Sequence, residues 1–185
     1  MSYDVRLATV DDTEAFVRAY FDIATQTYGS FMPPSFAAEQ QALATEWIPG
    51  YRDNIERMWA DLEAGREPHR RHWIARSGDE VVGIAASGPG IARWEEQIGY
   101  PDPPINFSLD KLYLRPSAQG TGLADELFEL ALPNGKGAYL WILAGNPRAE
   151  QFYTRRGFVA DGLQSDCGPH WHYHPMFRMW RPDPA

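Results

Sequence analysis

Residues Gln119-Gly120-Thr121-Gly122-Leu123-Ala124 stand just after an apolar run that ends at Arg115-Pro116. A helical pattern follows at once, because Leu123, Leu127, Leu130 and Ala131 share one face. Strand, glycine loop and helix start, in that order, aim unpaired backbone N–H groups and the positive end of a helix dipole at one point. The chemistry offered there is anion binding, with a pyrophosphate as the fitting guest. Gly120 and Gly122 let a phosphate approach the backbone with no Cβ in the way. The spelling is neither the G-x-x-x-x-G-K-[ST] of a nucleotide-hydrolysing loop nor the G-x-G-x-x-G of a dinucleotide site.

Asn146-Pro147-Arg148-Ala149-Glu150-Gln151-Phe152-Tyr153-Thr154-Arg155-Arg156-Gly157-Phe158 is the second informative stretch. Asn146 suits a helix cap, Pro147 the first helical position and Gly157 the residue past the end, which predicts a helix of about three turns. The run His170-Trp171-His172-Tyr173-His174 places three imidazoles on one face if it is a strand. Such a face could hold a metal, line an acceptor pocket, or pack as an aromatic strand beside a cleft or a dimer contact. Ligands two and four residues apart on a flat strand do not converge on one ion, so no metal is expected. The single cysteine, Cys167, excludes an internal disulfide and has no base beside it in sequence, which disfavours a covalent acyl-cysteine.

The elements that must position these residues follow from periodicity. A short edge strand at 5–8 leads into T-V-D-D at 9–12, a helix start. Pro49-Gly50 divides 36–63 into two helical pieces. Strands at 72–75 and 80–86 flank Ser77-Gly78-Asp79, a hairpin signal. A loop spans 87–104. Strands are predicted at 107–114, 139–143, 158–163 and 170–180, with helices at 123–132 and 146–156. The order β-α-α-β-β-β-α-β-α-β-β predicts an α+β domain, a mixed sheet covered by helices, over the whole of 1–185.

Composition narrows the function. The chain has 185 residues, a normal size for one domain. Its formal charge of −8 disfavours nucleic-acid binding, and suits a cationic small molecule or simple solubility. No apolar run reaches the ~18 residues of a membrane span, and the N-terminus lacks a signal-peptide pattern. With one cysteine, this points to a cytoplasmic protein.

The loop at 119–124 fits [Q/R]-x-x-G-x-[G/A], and 146–158 fits N-x-x-A-x-x-F-Y-x-[KR]-x-G-F. Together, in this order and spacing, they resemble the GNAT superfamily of acyl-CoA N-acyltransferases. The resemblance follows the order of elements from about residue 5 to 181 and is close over 109–160. It implies a mostly antiparallel sheet of six to seven strands, splayed between the fourth and fifth to admit a pantetheine arm. It implies acetyl-CoA as co-substrate, held by the backbone of Leu112, Tyr113 and Leu114, by Gln119, Gly120, Thr121, Gly122, Leu123 and Ala124, and by Asn146, Arg148 and Phe152. Arg155 and Arg156 either reach the phosphates too or form a solvated face.

The resemblance also implies N-acetylation of a small-molecule amine by direct attack. Tyr153 stands where a general acid for the leaving thiolate often lies, or else packs beside Phe152. A glutamate common early in the fourth strand is replaced by Ser108. Asp110, two residues on and on the same strand face, takes the proton directly or through water, or else pairs with Lys111 or an arginine. Trp94, Tyr100, Trp171 and Tyr173 fall where acceptor walls form in relatives. Three alternatives stay open: a non-catalytic acyl-CoA sensor, a protein or peptide amine as acceptor, and pairing of two copies through the last strand.

Overall fold

A computed structural model describes residues 2–91, 95 and 99–184. Trp94, one of the expected wall residues, lies outside them. The elements are β1 (Asp4–Leu7), α1 (Thr13–Tyr28), α2 (Phe36–Glu63), β2 (Arg71–Ser77), β3 (Glu80–Pro89), β4 (Phe107–Leu114), α3 (Leu123–Ala131), β5 (Ala138–Leu143), α4 (Pro147–Thr154), β6 (Val159–Asp166) and β7 (Pro175–Arg181). The strands form one seven-stranded sheet in the order β1-β2-β3-β4-β5-β7-β6.

Alternation along the strands builds two apolar layers. Trp73, Ala75, Ala85 and Leu109 face α3 and α4, where Leu127, Phe128 and Tyr153 meet them. Ile74 and Ile84 face α1 and α2, where Phe16, Phe21, Ile55 and Met58 meet them. The β2–β3 hairpin turns at Gly78, whose φ of 60° suits glycine, with Ser77 paired to Glu80. At the start of α1, both the N–H and the hydroxyl of Thr9 donate to Asp12 Oδ2 at 2.8 Å. Arg6 and Arg76 reach the same buried carboxylate at 2.6 and 3.0 Å.

Two expectations are corrected. Pro49 does not split the second helical region, since α2 runs unbroken through it. Proline removes one N–H donor and crowds the carbonyl four residues back, at Thr45. Thr45, Pro49 and Gly50 are all exposed, so that carbonyl faces water. Leu43, Ala44, Ile55 and Met58 meanwhile pin both halves to the core, and this packing outweighs the local penalty.

The run 170–174 is not strand. Pro169–Trp171 is a single 3₁₀ turn, His172 and Tyr173 take left-handed φ of 52° and 55°, and β7 begins only at Pro175. The three imidazoles therefore do not share a face. His172 Nε2 lies 2.7 Å from Glu39 Oε2, and His174 Nε2 lies 2.8 Å from the carbonyl of Ala144. The carbonyl of His170 accepts from Gln40 at 2.8 Å.

The feature that matters most for a site is the junction of β4 with β5. Every other neighbouring pair of strands is antiparallel, whereas these two run parallel and meet only at Ser108 and Tyr139. Beyond that contact they separate.

Candidate active site

The gap between β4 and β5 opens into a cleft of about 370 Å³. Residues 109–114 of β4 form one wall and Leu140, Trp141 and Ile142 of β5 the other. Gln119, Gly120, Gly122 and Ala124 border it at the head of α3, and Asn146, Arg148, Phe152 and Tyr153 border it from α4. Of the expected cofactor residues, Thr121 and Leu123 alone do not line it. The Thr121 hydroxyl donates back to the Ala118 carbonyl at 2.7 Å. The Leu123 side chain is buried against β3 in the core, so only its N–H can serve a ligand.

The loop needs its glycines for conformation. Gly120 has φ of 78° and Gly122, which precedes α3, has φ of 90°. A Cβ on either would meet no protein atom within 4 Å, so the space beside them is open to a guest. The first helical N–H bonding back to the Gly122 carbonyl is that of Asp125, which leaves the N–H groups before it without a helical acceptor. This end keeps a positive excess, with Arg148, Arg155 and Arg156 against Asp125 among the residues bordering the cleft. Arg148 pairs with Gln119, and Arg156 pairs with Asp125 while lying over the Phe152 ring.

Asn146 uses both ends of its amide. Its Oδ1 accepts from the N–H of Ala149 at 3.1 Å and caps α4, while its Nδ2 donates to the Tyr28 hydroxyl at 3.2 Å. Tyr28, from the end of α1, also packs in one cluster with Tyr113 of β4. It therefore links the two walls of the gap. No spacing in the sequence marked this residue, because its role depends on three elements far apart in the chain.

Tyr153 is buried among Phe128, Phe152 and Phe158 and borders the cleft. Burial, with the Tyr28 phenol nearby, holds its hydroxyl well above the ordinary tyrosine range. It is thus a neutral proton donor at pH 7. Cys167 is buried, and burial followed by the charge of Asp166 pushes its thiol up to about 12. A thiol held protonated in this way is no nucleophile.

Around Asp110 the β3–β4 register slips. Ala86 faces Lys111 while Ser87 faces Leu109, so Asp110 is the extra residue of a bulge. Ser108 is buried behind it and donates to Asp110 Oδ1 at 2.6 Å. The other oxygen meets Arg70 Nε at 2.6 Å. Asp110 lines the cleft with an arginine and a serine both engaged, whereas Ser108 itself does not line it. The Lys111 ammonium sits 4.7 Å from the Tyr20 ring and 5.6 Å from the Tyr51 ring. His72, buried beside these groups, is pushed down to about 4 by burial and then by the charges of Lys111 and Arg70, against the pull of Asp110.

Among the expected wall aromatics, Tyr100 packs tilted against Trp141 with ring centroids 5.2 Å apart, and Trp171 lies 5.7 Å from Tyr28. Tyr173 is well exposed. Among the described residues, no cluster of three or more His, Cys, Asp or Glu is placed to hold a metal, and no helix is long and apolar enough to cross a membrane.

Residues 36–158 match the Acetyltransferase (GNAT) family. The chain belongs to that family. A probable N-acetyltransferase of Mycobacterium tuberculosis is 33% identical over 92 residues, covering 49% of this chain and 47% of its own length. The match thus spans about half of that relative. Uncharacterized N-acetyltransferases of Mycobacterium bovis and M. tuberculosis are 28% identical over 154 residues, 77% of this chain and 83% of theirs. Among solved structures, the PaiA N-acetyltransferase of Thermoplasma acidophilum, in complex with coenzyme A, superposes with a TM-score of 0.68 at 16% identity over 98% of this chain and 99% of its own. A histone acetyltransferase HPA2 and related acetyltransferase of Corynebacterium glutamicum gives 0.60 at 25% identity over 100% and 98%. The splayed, mostly antiparallel GNAT sheet expected from the two motifs is therefore borne out, and so is assignment to the acyltransferases.

Proposed function

We propose that this GNAT protein moves an acetyl group from acetyl-CoA to the amine of a small molecule by direct attack. The observation that carries the reading is the continuity of one cleft, from the glycine loop at the head of α3 to the buried phenol of Tyr153. The N–H groups over 120–124 receive the pyrophosphate, assisted by Gln119 and Arg148. The backbone of Leu112, Tyr113 and Leu114, left unpaired on the β5 side, holds the amide-bearing arm, with Asn146 and Phe152 opposite.

The acceptor amine first gives up a proton to Asp110, directly or through water. Ser108 and Arg70 hold that carboxylate in place. The nitrogen lone pair then forms a bond to the thioester carbon, and the N–H groups of β4 near the bulge stabilise the oxyanion. The tetrahedral species collapses with breakage of the C–S bond, Tyr153 donates its proton to the departing thiolate, and the second proton shed by the acetylated nitrogen restores the Tyr153 phenol. A single chamber holds both reactants, so no acyl-enzyme is required.

Thiol release from acetyl-CoA across an amine panel tests the reading. With a turned-over amine, Tyr153→Phe is expected to lower kcat by about 10²- to 10⁴-fold with little change in KM. Unchanged kcat removes Tyr153 from the reaction.

A further inference from the structure

An aromatic cage normally serves to seat a cation. Beside this cleft, which Lys111 lines and the cage rings do not, the seat is already filled. The Lys111 ammonium occupies the space over Tyr20 and Tyr51, and Trp47 stacks on both of those rings at 6.5 and 6.3 Å. Burial works against the Lys111 charge, but the neighbouring Tyr51, Tyr20 and Asp110 outweigh it and raise its pKa. Among the described residues it forms no ion pair. The nearest carboxylate lining the cleft, that of Asp110, is taken up by Arg70 at 2.6 Å. The remaining charged residues that border the cleft, Asp125, Arg148, Arg155 and Arg156, lie at the α3–α4 end. His72, beneath, is neutral at pH 7. The acceptor end therefore carries a fixed ammonium with no direct ion-pair partner among the described residues, the Asp110 charge acting on it only through its field.

Such an end repels an acceptor that is only a cation and attracts one that brings its own anion. Resting on the acetyl-transfer reading above, we propose that the acceptor is an amine bearing a carboxylate close by, of the amino-acid type, and that Lys111 is the counter-ion that selects it. The carboxylate meets the N–H donors of the Lys111 ammonium. The amine then lies toward Asp110, the next residue in the bulge.

The test pairs amino acids with their decarboxylated amines in the thiol-release assay, with the intact chain and acetyl-CoA. The acid of each pair is expected to show at least a tenfold higher kcat/KM. Lys111→Met collapses that ratio toward one, Lys111→Glu inverts it, and Lys111→Arg keeps it. Calorimetry with coenzyme A confirms that each variant retains a folded cofactor site. Equal or faster turnover of the decarboxylated partners overturns the inference while leaving acetyl transfer intact. A ratio that survives in the folded Lys111→Met variant overturns the role of Lys111. Thiol release from neither class, with coenzyme A bound, sinks the small-amine reading and this inference together.

Discussion

Asn146→Ala separates two tasks that one side chain performs. The substitution removes the Oδ1 acceptor that caps α4 at the Ala149 N–H and the Nδ2 donor to Tyr28. Loss of an N-cap costs about 1 kcal/mol, and a net hydrogen bond about 0.5–1.5 kcal/mol. The second figure belongs at its low end, because Asn146 borders a cleft that admits water. The expected loss is about 1.5–2 kcal/mol, or roughly 3–8 °C in Tm for a domain of this size. Asn146→Asp retains the cap acceptor and abolishes only the donor. It should melt within about 3 °C of the parent. Both variants lose the strut from α4 to Tyr28, so both should raise the KM for acetyl-CoA. Thermal melts followed by circular dichroism, with KM measured alongside, decide the matter. A capless Asn146→Ala that melts with the parent, or an Asn146→Asp that falls as far as Asn146→Ala, refutes the division of labour.

Gly122→Ala forces a Cβ into a left-handed conformation at φ of 90°, costing about 1–2 kcal/mol, and should weaken coenzyme A binding by at least tenfold in calorimetry. Asp12 gives the molecule an acid limb. Burial pushes its carboxyl up, but Arg6, Thr9 and Arg76 outweigh that and hold it well below its ordinary 3.8. The stability it contributes is complete above that ordinary value and is lost as pH falls from there toward the lower folded-state value. Asp12→Asn should therefore lower stability at pH 7 by about 2 kcal/mol, the arginines being partly exposed, and flatten the decline below pH 4. Urea titrations at pH 3, 4 and 7 measure both, and parallel slopes for parent and variant would refute it.

The two motifs were legible because their signals are local. Gly120 and Gly122, the cap at Asn146, Pro147 and Gly157 act within a few residues of themselves, and the amphipathic face of α3 repeats every turn. Long-range causes were not legible. Pro49 reads as a breaker until Leu43, Ile55 and Met58 are seen holding both sides of it. The alternation of His170, Trp171, His172, Tyr173 and His174 reads as strand. Yet contacts with Glu39, Gln40 and Ala144 hold the segment as a turn with two left-handed residues. The site shows the same division. Asp110 and Tyr153 could be named from the resemblance of their motifs to the family, whereas Arg70, Lys111 and Tyr28 acquire their roles only when other elements arrive. A bulge is also invisible to strict alternation, since one added residue changes what every later side chain faces.

The lone ladder contact between Ser108 and Tyr139 has a mechanical consequence. The sheet amounts to two leaves, β1–β4 and β5–β7, sewn by a single stitch at one end. At the other end the clasp is made of side chains: Tyr28 on Asn146, Gln40 on the backbone of His170, and Glu39 on His172. Between the leaves the backbone groups of β4 beyond Ser108 and of β5 beyond Tyr139 are left without a strand partner, open to a slender molecule with amides of its own.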